Sequence, residues 1–236
     1  LAKYMKESLA QGRIIGYSHD WYGGLPMFQF YFPLSYVMMA LLSTIIHANI
    51  AFKLMTIFGT FIMPLCTYVA FRIFDFRFPM PAIAAAMVLP FLFLQSNSMY
   101  GGNIPSSLAG EFSFSIGMAL SIVFIASLYK GIRTKKMLAF NVILLGIIAL
   151  FHIIPIITIA LSSVFFLRKD VNSNISYLAV VFVGAFLLVG FWSVPFIANF
   201  EHTTSTGFTA LRDVKDVLPE GFSVVFLFTI LGAAFA

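Results

Sequence analysis

Strongly apolar runs separated by short polar stretches extend the length of this chain, with no repeat, heptad or low-complexity tract among them. At about 20 residues per crossing, the clearest predicted membrane spans are 52–74, 80–94, 112–129 and 177–197. The span 80–94 is short and contains Pro81 and Pro90, which a membrane helix accommodates when its neighbours satisfy the freed backbone groups. Upstream, 33–46 is apolar for too few residues to cross and suits an interfacial or re-entrant helix. The apolar run from Phe222 predicts the start of a further span, 222–236.

The run 137–167 is too long for one upright crossing. As a single helix it would extend about 46 Å, against a hydrocarbon core near 30 Å. His152 and Pro155 lie at its middle. A hairpin of two short helices turning near residues 151–155 fits better than one steep span.

Composition fixes the class. Hydrophobic residues make up 61% of the chain and charged residues 10%, whereas a soluble domain carries about 25% charge. The expected fold is therefore all-α, a polytopic transmembrane helical bundle in a single domain. The net charge of +5 is no evidence for nucleic acid, because basic residues in such chains gather in cytoplasmic loops. One cysteine, Cys66, excludes an intrachain disulfide and a CxxC metal site. The chain opens on Leu1, ends at Ala236 inside an apolar run and shows no signal peptide. It reads as an internal piece of a longer polytopic protein, with a helix beyond each end.

Charge placement orders the spans. Basic residues cluster at Arg72/Arg77, at Lys130/Arg133/Lys135/Lys136 and at Arg168/Lys169. Placing all three clusters in the cytoplasm obeys the positive-inside rule and requires the 137–167 hairpin. The loop 1–30, the loop 97–111, the turn near His152 and the loop 199–219 then share the outer face.

That face collects the unusual polar residues: His19, Asp20, Asn103, Glu111, His152, Glu201, His202, Arg212, Asp213, Lys215 and Asp216. Glu111 begins a helix after a glycine-containing stretch, with Ser115 one turn later on the same face. An acid at a membrane boundary is costly and points to function, as a ligand for a metal, a sugar hydroxyl or a cation. The alternative is a helix-start acid stabilised by the macrodipole. Gly101-Gly102-Asn103 matches an anion-binding turn. His152 reads either as a neutral bundle histidine or as a phosphate ligand or proton carrier. Asp20 precedes Trp21-Tyr22, which an interfacial aromatic belt also explains. Arg212 and Lys215 suit a lipid phosphate, and equally a solvated, self-paired loop. No Gly-x-Ser-x-Gly, HExxH, Walker or Rossmann pattern is present.

Three stretches resemble a known family. Trp21-Tyr-Gly-Gly-Leu-Pro-Met-Phe-Gln-Phe-Tyr-Phe-Pro33-Leu-Ser-Tyr36 resembles the first outer loop of multi-span GT-C-type glycosyltransferases. It is closest to the prokaryotic membrane proteins described as related to 6-pyruvoyl-tetrahydropterin synthase, a name that does not describe their chemistry. Leu108-Ala-Gly-Glu111-Phe-Ser-Phe-Ser115 is similar to their second outer loop. Phe191-Trp192-Ser-Val-Pro195-Phe-Ile-Ala-Asn199 resembles a later helix opening into the next outer loop. The short-helix hairpin at His152 also looks like the GT-C core.

The resemblance implies a GT-C-like core and an inverting transfer of a sugar from a polyprenyl-phosphate carrier. The acceptor would be a saccharide, lipid or protein outside the cytoplasmic membrane. It puts Glu111 at the position of the second acid, with the first expected upstream of Leu1; Asp20 lies later in the chain than that first acid and stands with Glu111 as a candidate catalytic residue. Asn103, Ser115, His152, His202 and Arg212 are the candidate substrate-binding residues. A divalent metal is a candidate companion, with Glu111 as its ligand. The expected partners are the bilayer, the lipid-linked sugar and the acceptor. Two other functions remain open: a transporter or lipid flippase, and a non-catalytic membrane assembly protein.

Overall fold

The computed structural model describes residues 1–20, 23–95, 101–167 and 170–203. The described residues before Tyr31 include regular elements rather than a bare loop. Helix α1 (Ala2–Ala10) is followed by strands β1 (Gly16–Ser18) and β2 (Leu25–Met27), paired antiparallel with Tyr17 opposite Pro26. Met5, Met27 and Phe28 are buried against α2 (Leu34–Leu42), through Tyr36 and Met39. The apolar side chains of this amphipathic segment thus close over the end of the bundle.

Helix α3 (Ala48–Ile73) is the first of three helices long and apolar enough to cross a membrane. The ring of His47 starts it by accepting the Asn49 N–H at 3.3 Å, taking up a donor with no intrahelical partner. Its buried face runs Ala51, Met55, Gly59, Met63, Cys66, Ala70, the three-to-four spacing of a single helix side. Phe61 and Leu65, on the other side, are 74% and 62% exposed. Apolar surface on that scale is stable in lipid and not in water.

The segment 80–94 forms two short helices, α4 (Met80–Ala86) and α5 (Val88–Leu92), divided by a turn at Met87. It is not one straight crossing, because Pro90 withholds an N–H at the point where the ladder would continue. Beyond the undescribed residues 96–100, a short α6 (Ile104–Ser106) and a wide π turn (Ser107–Glu111) lead into α7 (Phe112–Thr134). Ile104 to Thr134 together form the second membrane-length helix. α3 and α7 run parallel: Gly59 lies against Ser115 and Ile116 near one end, and Phe74 against Tyr129 at the other. Gly59 has no side chain to hold the backbones apart, so this is the closest crossing in the bundle.

Helices α8 (Leu138–Phe151) and α9 (Ile153–Ser163) form a hairpin that turns at His152. α8 runs antiparallel to α7, with Asn141 bonded to Ser127 and Phe151 beside Gly117. α9 returns alongside α7, from Pro155 at Gly117 to Phe166 at Tyr129. The extended backbone of His152, at φ −167° and ψ 148°, breaks the helix there. α10 (Val171–Leu188), the third membrane-length helix, packs parallel to α8. The expected span 177–197 divides at Val189, after which α11 (Gly190–Ala198) turns Trp192 inward. Among the described residues the molecule is all-α apart from the small hairpin, a membrane protein built on three apolar helices.

Candidate functional site

The polar stretch before α7 builds itself from its own side chains. Asn103 caps α6, its Oδ1 accepting the Ser106 N–H at 3.0 Å and its Nδ2 donating to the Leu94 carbonyl at 2.9 Å. Ser107 Oγ donates to the Asn103 carbonyl at 2.9 Å and meets Ser115 Oγ. Ser115 Oγ also reaches the Glu111 carbonyl at 3.2 Å. Asn103 and Ser115 are completely buried. The structure therefore gives these two candidates the work of holding the turn. Gly101 donates its N–H to Ser106 Oγ at 3.0 Å, so the glycine pair also serves this framework.

The turn they hold is irregular. Gly110 sits at φ +123° inside the π turn, a conformation that strains any residue with a Cβ. The chain kinks at Gly110 between two helices. The kink brings Glu111 to the start of α7, half-buried, with no side-chain bond to the helix terminus. The carboxylate is thus not the cap that a helix-start acid would provide.

Glu111 instead lies within electrostatic range of two phenols. Its charge acts on both Tyr31 and Tyr36, whose side chains also interact with each other and whose rings lie 5.9 Å apart. The Tyr36 hydroxyl is held well above the ordinary phenol range, first by burial, then by Tyr31 and by the negative charge of Glu111. Tyr31 is raised too, mainly by burial; its hydrogen bond with Tyr36 opposes the shift and Glu111 adds to it. Both hydroxyls therefore stay protonated and able to donate. A groove of about 370 Å³ passes beside this turn, lined by Phe52, Lys53, Thr56, Ser107 and Gly110. The Lys53 ammonium supplies a positive charge at its edge.

Aromatic rings tie this corner to the hairpin turn. His152 lies 4.8 Å from Phe32 and 5.3 Å from Phe114, ring centre to ring centre. Phe32 meets Trp192 at 5.3 Å, and Trp192 stacks on Phe196 at 5.3 Å. Trp192 Nε1 donates to the Phe28 carbonyl at 2.9 Å, while Ser113 Oγ donates to Ser35 Oγ at 2.7 Å. Residues 28–36, 111–115, 152 and 192–196 thus converge on one end of the bundle. His152 Nδ1 accepts the Ile154 N–H at 3.3 Å as the cap of α9, which leaves Nε2 as the N–H of a neutral ring.

The other candidates stand apart. Asp20 is exposed at the tip of the β-hairpin, its backbone N–H bonded to Ser18 Oγ at 3.3 Å. His202 is exposed on the short turn Phe200–His202, 3.8 Å from Glu201. Arg212 lies outside the described residues, as do Asp213, Lys215 and Asp216. Among the described residues, no three His, Cys, Asp or Glu side chains gather to hold a metal ion. Glu111 alone does not make a metal centre.

Tyr31 and Tyr36 escaped sequence reasoning. They belong to a stretch rich in aromatic residues, Phe28 to Tyr36, where an interfacial belt explains rings without chemistry. Nothing local distinguishes the two that face an acid 75 or more residues later.

The fold and this corner define a helical membrane protein with an acid at an irregular helix start. Residues 28–231 match the family described as "6-pyruvoyl-tetrahydropterin synthase related domain; membrane protein", and the chain belongs to that family. No curated protein and no solved structure matches it.

Proposed function

We propose that this chain forms the core of a GT-C-type glycosyltransferase of the cytoplasmic membrane. It takes a sugar from a polyprenyl-phosphate carrier and gives it to an acceptor on the outer face. The observation that carries this reading is the Glu111 carboxylate, presented at the kink before α7, left uncapped and within electrostatic range of Tyr31 and Tyr36. A carboxylate so placed can accept the proton of an acceptor hydroxyl or amine. The acceptor atom bonds to the anomeric carbon as the sugar–phosphate C–O bond breaks. The electron pair leaves on the polyprenyl phosphate, and configuration inverts. The two phenols orient the carboxylate and donate to sugar or phosphate oxygens, and Lys53 offsets the leaving phosphate's charge.

Two further features support the reading. An apolar cavity of about 320 Å³ between Phe32, Trp192 and helices α8 to α11 suits a hydrocarbon chain entering from the bilayer. The basic residues at the opposite end of α3 and α7 favour an outer Glu111 end under the positive-inside rule. The test is reconstitution of the full-length protein in liposomes with a panel of radiolabelled polyprenyl-phosphate sugars. Label appearing in acceptor-linked product supports the proposal. Transport of the lipid-linked sugar across the bilayer with no transfer would instead favour a flippase.

A further inference from the structure

The opposite end of the molecule holds a second polar cavity, of about 410 Å³, between the ends of α3 and α7. It is lined by Ile73, Phe74, Asp75, Tyr129, Lys130, Arg133 and Thr134. Within residues 72–77 and 130–136, the bases Arg72, Arg77, Lys130, Arg133, Lys135 and Lys136 face one acid, Asp75. That acid already has a partner, since Lys130 Nζ lies 2.8 Å from its carboxylate.

Arg133 supplies the uncompensated charge. One of its N–H groups donates to Tyr129 Oη at 2.6 Å, and the guanidinium lies 5.3 Å from the centre of the same ring. Arginine has five such donors, so the fork is oriented by Tyr129 while most of its N–H groups are open to the cavity. Tyr129 Oη accepts that bond and keeps its own proton to donate. A fixed guanidinium with a hydroxyl and an ammonium beside it is a phosphate-binding arrangement.

Position selects the source of the phosphate. α3 has 26 residues and so extends about 39 Å, longer than a hydrocarbon core of about 30 Å. Its last turn therefore reaches headgroup level. Ile73 and Phe74 form the apolar side of the cavity there, where a lipid's glycerol and upper chain would lie. Basic pockets between membrane helices at this level recognise anionic headgroups.

We propose that this cavity binds the phosphoester of an anionic membrane phospholipid, at the end of the molecule opposite Glu111. The site stands independently of the proposed sugar transfer, and its test reads lipid and not turnover. The purified full-length protein is placed in nanodiscs containing equal parts phosphatidylglycerol and phosphatidylcholine, and the lipids retained on detergent extraction are counted by native mass spectrometry. Wild type should retain phosphatidylglycerol over phosphatidylcholine, and Arg133→Gln should reduce that ratio roughly fivefold, as expected for one basic residue near the surface. Arg133→Lys should keep most of the preference, which separates lost charge from lost fold. Lys3→Gln, exposed on α1 at the other end of the molecule, should leave it unchanged. Equal retention of the two lipids by wild type overturns the proposal. So does an undiminished ratio in Arg133→Gln, or a drop in Lys3→Gln as large as in Arg133→Gln. Displacement of the lipid by millimolar inorganic phosphate would assign the cavity to a soluble phosphoester and overturn the lipid source.

Discussion

Trp192 and Phe28 are joined by a 2.9 Å hydrogen bond from the indole N–H to the backbone carbonyl, across 164 residues of sequence. The bond is buried and links the first aromatic stretch to α11. Trp192→Phe keeps most of the packing but leaves the Phe28 carbonyl without that donor. An unmet buried acceptor costs about 1–3 kcal/mol, so thermal unfolding in detergent should shift down. The loss should be larger than for Phe196→Leu, which removes ring contact alone.

Gly59 sets the closest crossing of α3 and α7. A Cβ there would meet the backbone of Ser115 and Ile116 at 2.6 Å. Gly59→Ala must push the two helices apart, at a cost of about 1–3 kcal/mol for an overpacked interior. The displacement falls one turn after Glu111. Stability, read by thermal unfolding, and any activity that depends on Glu111 should therefore fall together.

Asn141 holds the other end of the bundle. Its amide bonds Ser127 Oγ at 2.6 Å and Tyr177 Oη at 2.9 Å, and Tyr177 donates in turn to the Lys136 carbonyl at 2.7 Å. Asn141→Ala should destabilise the α7–α8–α10 packing by about 1 kcal/mol, the scale of interhelical hydrogen bonds in membranes. Denaturant titration in mixed micelles measures it.

The Glu111–Tyr36 pairing has a pH signature. Raised phenol pKa values mean that the folded state resists forming phenolate more than the unfolded chain does, whose tyrosines titrate near 10. The stabilising difference is fully present below about pH 10 and is lost as pH rises through the folded-state values. Wild type should therefore lose stability above about pH 10, and Tyr36→Phe should lose less over that window. Glu111→Gln removes a charge that raises both phenols. Their ultraviolet titration, isolated by subtracting the Tyr31→Phe/Tyr36→Phe trace, should move to lower pH.

Hydropathy finds the helices but not their ends. The apolar runs mark α3, α7 and α10 because a helix surrounded by lipid needs apolar residues on every side. For the same reason no amphipathic stripe reports where α10 breaks at Val189 or where 80–94 divides at Met87. The reversal at His152 is legible because 137–167 is too long for a single crossing. The β-hairpin before Phe28 is not, since its two three-residue strands carry no alternation long enough to read. Glu111 stands out in the sequence as an acid beside a membrane helix, but its surroundings do not. Asn103 and Ser115 have ligand-like side chains that turn out to be bonded within the turn, and only geometry reveals that. Tyr31 and Tyr36 come within range of the Glu111 charge where α2 meets the start of α7, through the Ser113–Ser35 bond and the contacts of Tyr36 with Phe28 and Phe112.

The central claim rests on one carboxylate, so the most direct measurement is the rate of sugar transfer by Glu111→Gln in the full-length protein. It is made with a polyprenyl-phosphate sugar that wild type accepts, at matched thermal stability. Loss of a proton-accepting group predicts a fall of about 100-fold or more, with binding of the lipid-linked donor largely kept. Transfer at the wild-type rate by the folded Gln variant would contradict the account.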